Sequence, residues 1–232
     1  MRTLKAIVIA SLLLFAGSWA KAADVKTEAT TVGGAQAILL TPAKPRGGIV
    51  LLAGGDGMFQ IDANGNTQNF NSLVRTRYDF AAYGLAVLVP EANVDVKAAV
   101  DFMRKFGKVT VAGTSRGTQR AARGIAAGAR PDRLVLTSGF LSNASGDPDN
   151  AINILGSPSA LPPTLVVAHR HDSCFKTLPA GVDPFLAWAG GKARVTWIDG
   201  GDSQGNACGA KAHHGFLGVE SQMVSAVAGF AR

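Results

Sequence analysis

A serine flanked by glycines stands near the middle of the chain, in Gly113-Thr114-Ser115-Arg116-Gly117. The residues leading to it, "KVTVAG", are mostly β-branched and apolar, and those following, "TQRAARGIAAG", are largely small and helix-prone. This order predicts a strand, a sharp turn and a helix, with the serine on the turn. Small neighbours let the adjacent elements approach, and the hydroxyl projects past the strand toward the positive end of the helix. A serine hydroxyl is a weak nucleophile near neutral pH, so chemistry at Ser115 requires a base and an acid that orients it. Gly-x-Ser-x-Gly alone is a weak signal, because a tight strand–helix turn without chemistry can carry the same letters.

All four histidines, His169, His171, His213 and His214, lie downstream of Ser115. His169 falls in or at the end of an apolar strand, where a core histidine is the plainer reading. His171 directly precedes Asp172, and neighbouring side chains diverge. His213 and His214 follow the last apolar strand and stand just before the closing helix. His214 is the first choice for a base because Gly215 leaves room beside its ring; His213 is the second. The acid belongs after the penultimate strand, where "TLVVAHRHDSC" puts Asp172. There it can orient an imidazole and stabilise its charged form. Asp199 and Asp202, after the last strand, are the substitutes.

Acyl chemistry also needs donors for a developing oxyanion. The stretch "LLAGGDGMF" follows an early strand, and its glycines allow unusual backbone angles. Gly55 is the first-choice N–H donor and Asp56 the second, with the backbone N–H of Arg116 as the other; an ordinary glycine-rich turn is the alternative. Neither Gly-x-Gly-x-x-Gly nor a P-loop ending is present, which disfavours a phosphate cradle.

The elements that must position these groups alternate. Residues 25–31 and 35–41 read as a hairpin about Gly33-Gly34, and 48–53 as a buried strand. Helical spacing covers 67–83, with Phe70, Leu73, Val74 and Phe80 as its apolar face, and 94–106, with Ala98, Ala99, Phe102 and Met103. Further strands are expected at 84–90, 108–113, 133–139, 164–170 and 193–199. Further helices are expected at 118–128, across most of 175–190, and at 218–230. Short apolar strands alternating with helices predict a mostly parallel sheet covered on both faces. Residues 141–163, rich in Ser, Asn, Asp and Pro, are a loop or small flap, too short for a large lid.

At the N-terminus, Arg2 and Lys5 precede an apolar run from Ala6 to Gly17, and Ala20-Lys21-Ala22 offers a cleavage site. Residues 1–22 therefore read as a signal peptide, and 23–232 as one domain that is periplasmic or secreted. The run is too short to span a bilayer comfortably, so no stable membrane insertion is expected after cleavage. The formal charge is +7, and Arg2, Lys5 and Lys21 account for three of it, leaving +4 on the rest. That excess is mild and scattered, unlike the basic face of a nucleic-acid binder. Cys174 and Cys208 are the only cysteines. In an oxidising compartment they read as a disulfide, with a Cα separation below about 7 Å, tying the Asp172 loop to the His214 loop. Paired metal-ligand spacings are missing, so neither metal nor cofactor is expected. The partner expected is a small-molecule acyl substrate; the oligomeric state is not legible.

With "GGAQAILLTP…GGIVLLAGGDG", "GTSRG", "HRHDSC" and "HHGF" in place, the chain resembles an exported α/β-hydrolase of the dienelactone hydrolase-like branch, across essentially all of residues 23–232. The resemblance implies a three-layer α/β-hydrolase fold without a large lid, and a serine hydrolase of small esters or related acyl compounds. Ser115, His214 and Asp172 would be nucleophile, base and acid. The chain departs from that pattern in three places. Ala53 replaces the usual histidine before the oxyanion glycines, charged Arg116 follows the nucleophile, and serine stands where that branch often has cysteine. The alternative from another class is a non-catalytic binding protein that retains the fold.

Overall fold

The computed structural model describes residues 25–232; the expected leader, residues 1–22, lies outside the described residues. Strands β1 (Val25–Val32) and β2 (Ala35–Pro42) form the antiparallel hairpin turned at Gly33-Gly34. Strands β3 (Gly48–Leu52), β4 (Ala86–Pro90), β5 (Val109–Thr114), β6 (Arg133–Thr137), β7 (Thr164–His169) and β8 (Ala193–Ile198) run parallel. The eight-stranded sheet has the order β1-β2-β4-β3-β5-β6-β7-β8, with β2 antiparallel to β4. Strands β3 to β7 are almost wholly buried runs, as both faces of the sheet are covered.

Alternation along each strand sends side chains to opposite faces. Val50 and Leu52 of β3 join one core with Val96, Ala99, Val100 and Met103 of α3 (Val96–Met103), Ala121, Ala122 and Ile125 of α4 (Arg116–Ala126), and Phe185 of α6 (Val182–Trp188). Ile49 and Leu51 join the other with Leu73 and Val74 of α1 (Ser72–Arg75), Phe80 of α2 (Arg77–Ala82), and Met223, Val224 and Val227 of α7 (Glu220–Ala231). Each fully buried leucine contributes about 1.5–3 kcal/mol by transfer. The chain leaves β3 toward β4 on one side and resumes at β5 on the other, so strand order reverses between β3 and β5. Open α/β sheets carry their crevice at such a switch point, outside the carboxyl ends of the strands.

Three expected elements differ. Helix begins at Ser72, not near residue 67, because Asn69 and Asn71 turn their side-chain oxygens onto the N–H groups of Asn71 and Leu73 and cap the chain there. Phe70 consequently sits outside the helix and is 61% exposed. In α3 the buried face is Val96, Ala99, Val100 and Met103, leaving Ala98 and Phe102 half-buried. Residues 175–178 are not helical; a 3₁₀ turn with Pro179 at its start leads into α6. Residues 141–163 contain two 3₁₀ turns and the short α5 (Ala151–Leu155), which packs beside α4. They do not line the cleft that holds Ser115 and so form no flap over it.

Candidate active site

Ser115 ends β5 and opens α4 with φ 52 and ψ −124, a conformation L-residues rarely adopt. Both flanking glycines are sterically required. A Cβ on Gly113 would stand 2.4 Å from the Gly117 carbonyl oxygen, and one on Gly117 would stand 2.0 Å from that of Leu52. The turn is held from both sides: Ser115 N–H donates to the Thr137 carbonyl at 3.1 Å, and its carbonyl accepts from Thr118 N–H and Oγ1 at 2.9 and 2.7 Å. The loop after β3 packs against it directly, since a Cβ on Gly54 would meet Ser115 Cβ at 2.9 Å.

Asp172 follows β7, and His214 lies in a 3₁₀ turn ahead of α7. His214 Nδ1 is 3.0 Å from Asp172 Oδ2, and each residue is only 5% exposed. The other carboxylate oxygen accepts from Cys174 N–H at 2.9 Å. A buried carboxylate at Nδ1 assigns the ring proton to that nitrogen and leaves Nε2 as an acceptor. Thr177 Oγ1 lies 3.0 Å from His214 Nδ1 and 3.4 Å from Asp172 Oδ2, so its hydroxyl braces the pair. The loop carrying His214 is tied down separately. Ser138 Oγ donates to the His214 carbonyl at 2.8 Å, and Arg75 donates to the carbonyls of Gly215 at 2.6 Å and Ala210 at 3.1 Å while pairing with Glu220.

Three non-glycine residues among those described have positive φ: Ser115, Ser138 and Phe216. All belong to this constellation, since Ser138 bonds His214 and Phe216 follows His214-Gly215. Such backbones cost about 1–3 kcal/mol each and concentrate where surrounding structure over-determines a site.

Ser115 and His214 line one cleft of about 270 Å³ together with Gly54, Gly55, Asp56, Phe70 and Cys208. The ring bonds of His214 go to Thr177 and Asp172, on the Nδ1 side. No hydrogen bond joins Ser115 Oγ to His214 among the described residues, and Nε2 carries no bond to another side chain. The amides of Gly55, Asp56 and Arg116 have no acceptor among the described residues. Cys174 and Cys208 form a disulfide with Cα atoms 4.5 Å apart, joining the Asp172 loop to the rim of the cleft.

Of the second-choice residues, Asp56 lines the cleft, while the alternative base and acids bond elsewhere. His213 stacks on His169 at 4.6 Å between ring centroids, 15° from parallel. Asp199 faces His171 at 3.1 Å and Arg170 at 3.9 Å, and Asp202 accepts from Ser203 and Gln204. His169 is buried; its Nε2 meets the Gly200 carbonyl at 2.9 Å and its Nδ1 accepts from His171 N–H at 3.1 Å. Burial, reinforced by the neighbouring His213 and His171, holds its pKa below the ordinary histidine value. Thr177, Ser138 and Arg75 carry no local motif: their bonds to the ring of His214, to its carbonyl and to the Gly215 carbonyl reach across 37, 76 and 140 residues.

No protein-family model and no curated protein matches the chain. Solved structures do. An esterase/lipase from an uncultured bacterium aligns over 90% of this chain and 84% of its own, with 18% identity and a TM-score of 0.60. The dienelactone hydrolase of Anabaena variabilis aligns over 90% and 96%, with 15% identity and a TM-score of 0.61. The fold is that of the α/β-hydrolases. Carboxyl esterase 2 of the fungus Tuber melanosporum is a third such neighbour, at 16% identity over 91% and 87%, with a TM-score of 0.61. At these identities the likeness speaks for the α/β-hydrolase architecture alone.

Proposed function

We propose that the protein is a serine hydrolase that cleaves small carboxylic esters through an acyl-enzyme. The observation that carries this reading is the buried Asp172–His214 pair at 3.0 Å, which opens onto the same cleft as Ser115 on its strained turn. Ser115 Oγ attacks the ester carbonyl carbon as His214 Nε2 takes its proton. The resulting oxyanion accepts from the amides of Arg116 and Gly55, with Asp56 beside them. Collapse breaks the bond to the alkoxy group, which leaves as the alcohol with the proton from His214. Water, deprotonated by the same nitrogen, then releases the carboxylic acid. Asp172 keeps the imidazole in the required tautomer and stabilises its cation without itself becoming protonated.

The cleft's modest volume and the absence of residues 141–163 from its walls support a small, openly bound substrate. The esterases and dienelactone hydrolase among the structural neighbours support ester hydrolysis at the level of class. The disulfide supports an oxidising compartment, in keeping with the leader-like N-terminus. The test is a panel of p-nitrophenyl esters of graded acyl length, run on the wild type and Ser115→Ala, beside fluorophosphonate labelling. Turnover of the short esters and adduct formation at Ser115, both abolished in the variant, are expected. Equal turnover in the variant, or a folded wild type that takes no label, would overturn the reading in favour of a binding protein.

A further inference from the structure

Arg120 lies on α4, five residues beyond Ser115, and its guanidinium is turned back under the loop that follows β3. One terminal nitrogen donates to the Ala53 carbonyl; the other donates to the carbonyls of Gly55 at 2.8 Å and Asp56 at 2.7 Å. Among the described residues no carboxylate hydrogen-bonds this guanidinium; the three carbonyl dipoles do. It does not border the cleft of Ser115. It lines a separate cleft of about 300 Å³ with Arg116, Gln119, Arg123 and Phe140.

The consequence follows from the planar trans peptide, in which the C=O of one residue and the N–H of the next point in opposite directions. Drawing the carbonyls of Ala53, Gly55 and Asp56 toward Arg120 turns the amide hydrogens of Gly54, Asp56 and Gly57 the other way. The peptide between Gly54 and Gly55, which carries the Gly55 N–H, is thereby gripped between two fixed neighbours. Beyond the guanidinium, the Gly57 carbonyl accepts from Ala92 N–H at 2.9 Å and Asp56 Oδ1 from Met58 N–H at 3.1 Å, and neither bond fixes the peptides on either side of Gly55. Gly55 and Gly57 sit at φ 62 and 68, where glycine is free to leave for several other conformations. A flipped peptide would put a carbonyl oxygen where a developing negative charge needs a donor. At Gly57 the packing is tight enough that a Cβ would stand 2.6 Å from the guanidinium.

We infer that Arg120 is a positioning residue that locks the Gly54–Gly57 loop with its amides facing the Ser115 cleft, and so builds the oxyanion site from behind. This rests on the ester-hydrolase reading above. Lysine is a poor substitute, because a compact ammonium lacks the planar fork that spans three carbonyls.

The test compares wild type, Arg120→Ala and Arg120→Lys in three measurements: kcat/KM on p-nitrophenyl butyrate, Ki for an alkyl trifluoromethyl ketone, and melting temperature. The ketone adds Ser115 Oγ to its carbonyl and leaves a tetrahedral oxyanion, so its affinity reports the oxyanion site. Loss of an oxyanion donor lowers the rate about 10²–10³-fold, and a fall of about 10²-fold is expected for Arg120→Ala. Ketone affinity should fall by the same factor, and methylguanidinium in the assay should restore part of both. Arg120→Lys, which keeps a cation and donors, should retain the fold and still lose at least tenfold. The inference is overturned if the folded variants keep wild-type kcat/KM. It is equally overturned if the rate falls only as far as the protein unfolds, with ketone affinity unchanged and no rescue. A folded wild type inert toward both esters and fluorophosphonate would instead sink the parent reading.

Discussion

At Ser115 the backbone stands at φ 52 in a turn packed so closely that a Cβ on Gly117 would strike Leu52, one on Gly113 would strike Gly117 and one on Gly54 would press on the serine's own Cβ. In the proposed reaction the hydroxyl depends on one imidazole as its base. His213 and His214 are chemically equivalent letters, yet only His214 reaches the buried carboxylate, while His213 spends its face on His169. His214→Ala should lower kcat by about 10⁴–10⁶-fold, as for loss of a triad base. His213→Ala should stay within a few-fold of wild type; steady-state ester hydrolysis separates the two, and the reverse ranking would exchange their roles. Thr177 is a subtler case. Its hydroxyl touches both members of the pair, and Thr177→Val should cost about 1 kcal/mol of net hydrogen bond, or about fivefold in kcat/KM. Sequence order singled out Ser115, Asp172 and His214 because strand ends and helix starts are local patterns. Thr177 and Arg120 could not be found that way: no local pattern marks a threonine that also reaches a ring 37 residues on, or an arginine that reaches a carbonyl 65 residues back.

Among the elements, the parallel strands were legible from their unbroken apolar runs, because strands covered on both faces need no polar side. The helices were less so. The 67–83 pattern has the right apolar spacing, but two asparagines capture backbone N–H groups and delay the start to Ser72. Residues 175–178 are drawn toward the site, with Thr177 on the Asp172–His214 pair, and helical structure starts only at Pro179. The Asp172 loop is tied to the His214 side covalently as well, by the disulfide across a sequence separation of 34. In the chain-entropy model a loop of that length is worth about 3–4 kcal/mol. The double variant Cys174→Ala/Cys208→Ala should therefore melt about 6–16 °C below the oxidised wild type, since 1 kcal/mol shifts a domain of this size by about 2–4 °C. Calorimetry on both proteins, with the wild type also measured after reduction, checks this. An unchanged melting temperature would mean that the two loops are held by their other contacts alone.

For the molecule as a whole, the loops that build the candidate site sit over a single sheet, so its stability and the state of its histidines are linked. His169 ends β7, faces His213, His171 and Phe216, and lies three residues before Asp172. Its two bonds define one neutral tautomer: Nε2 donates to the Gly200 carbonyl, and Nδ1 accepts from the His171 amide. A proton on Nδ1 would set two donors against each other in a buried place, which adds to the burial that depresses its pKa. The unfolded chain has no such restriction and takes up the proton near pH 6.5. Above that pH both states are neutral and His169 contributes no pH dependence. As pH falls through about 6.5 the unfolded state binds the proton first, so stability falls until the depressed native pKa is reached. Melting curves at pH 8, 6.5 and 5 should show this decline in the wild type. In His169→Gln the amide keeps a donor and an acceptor but cannot titrate, so that variant should start lower at pH 8 and lose less between 6.5 and 5. Parallel curves for the two proteins would assign the acid sensitivity to other groups.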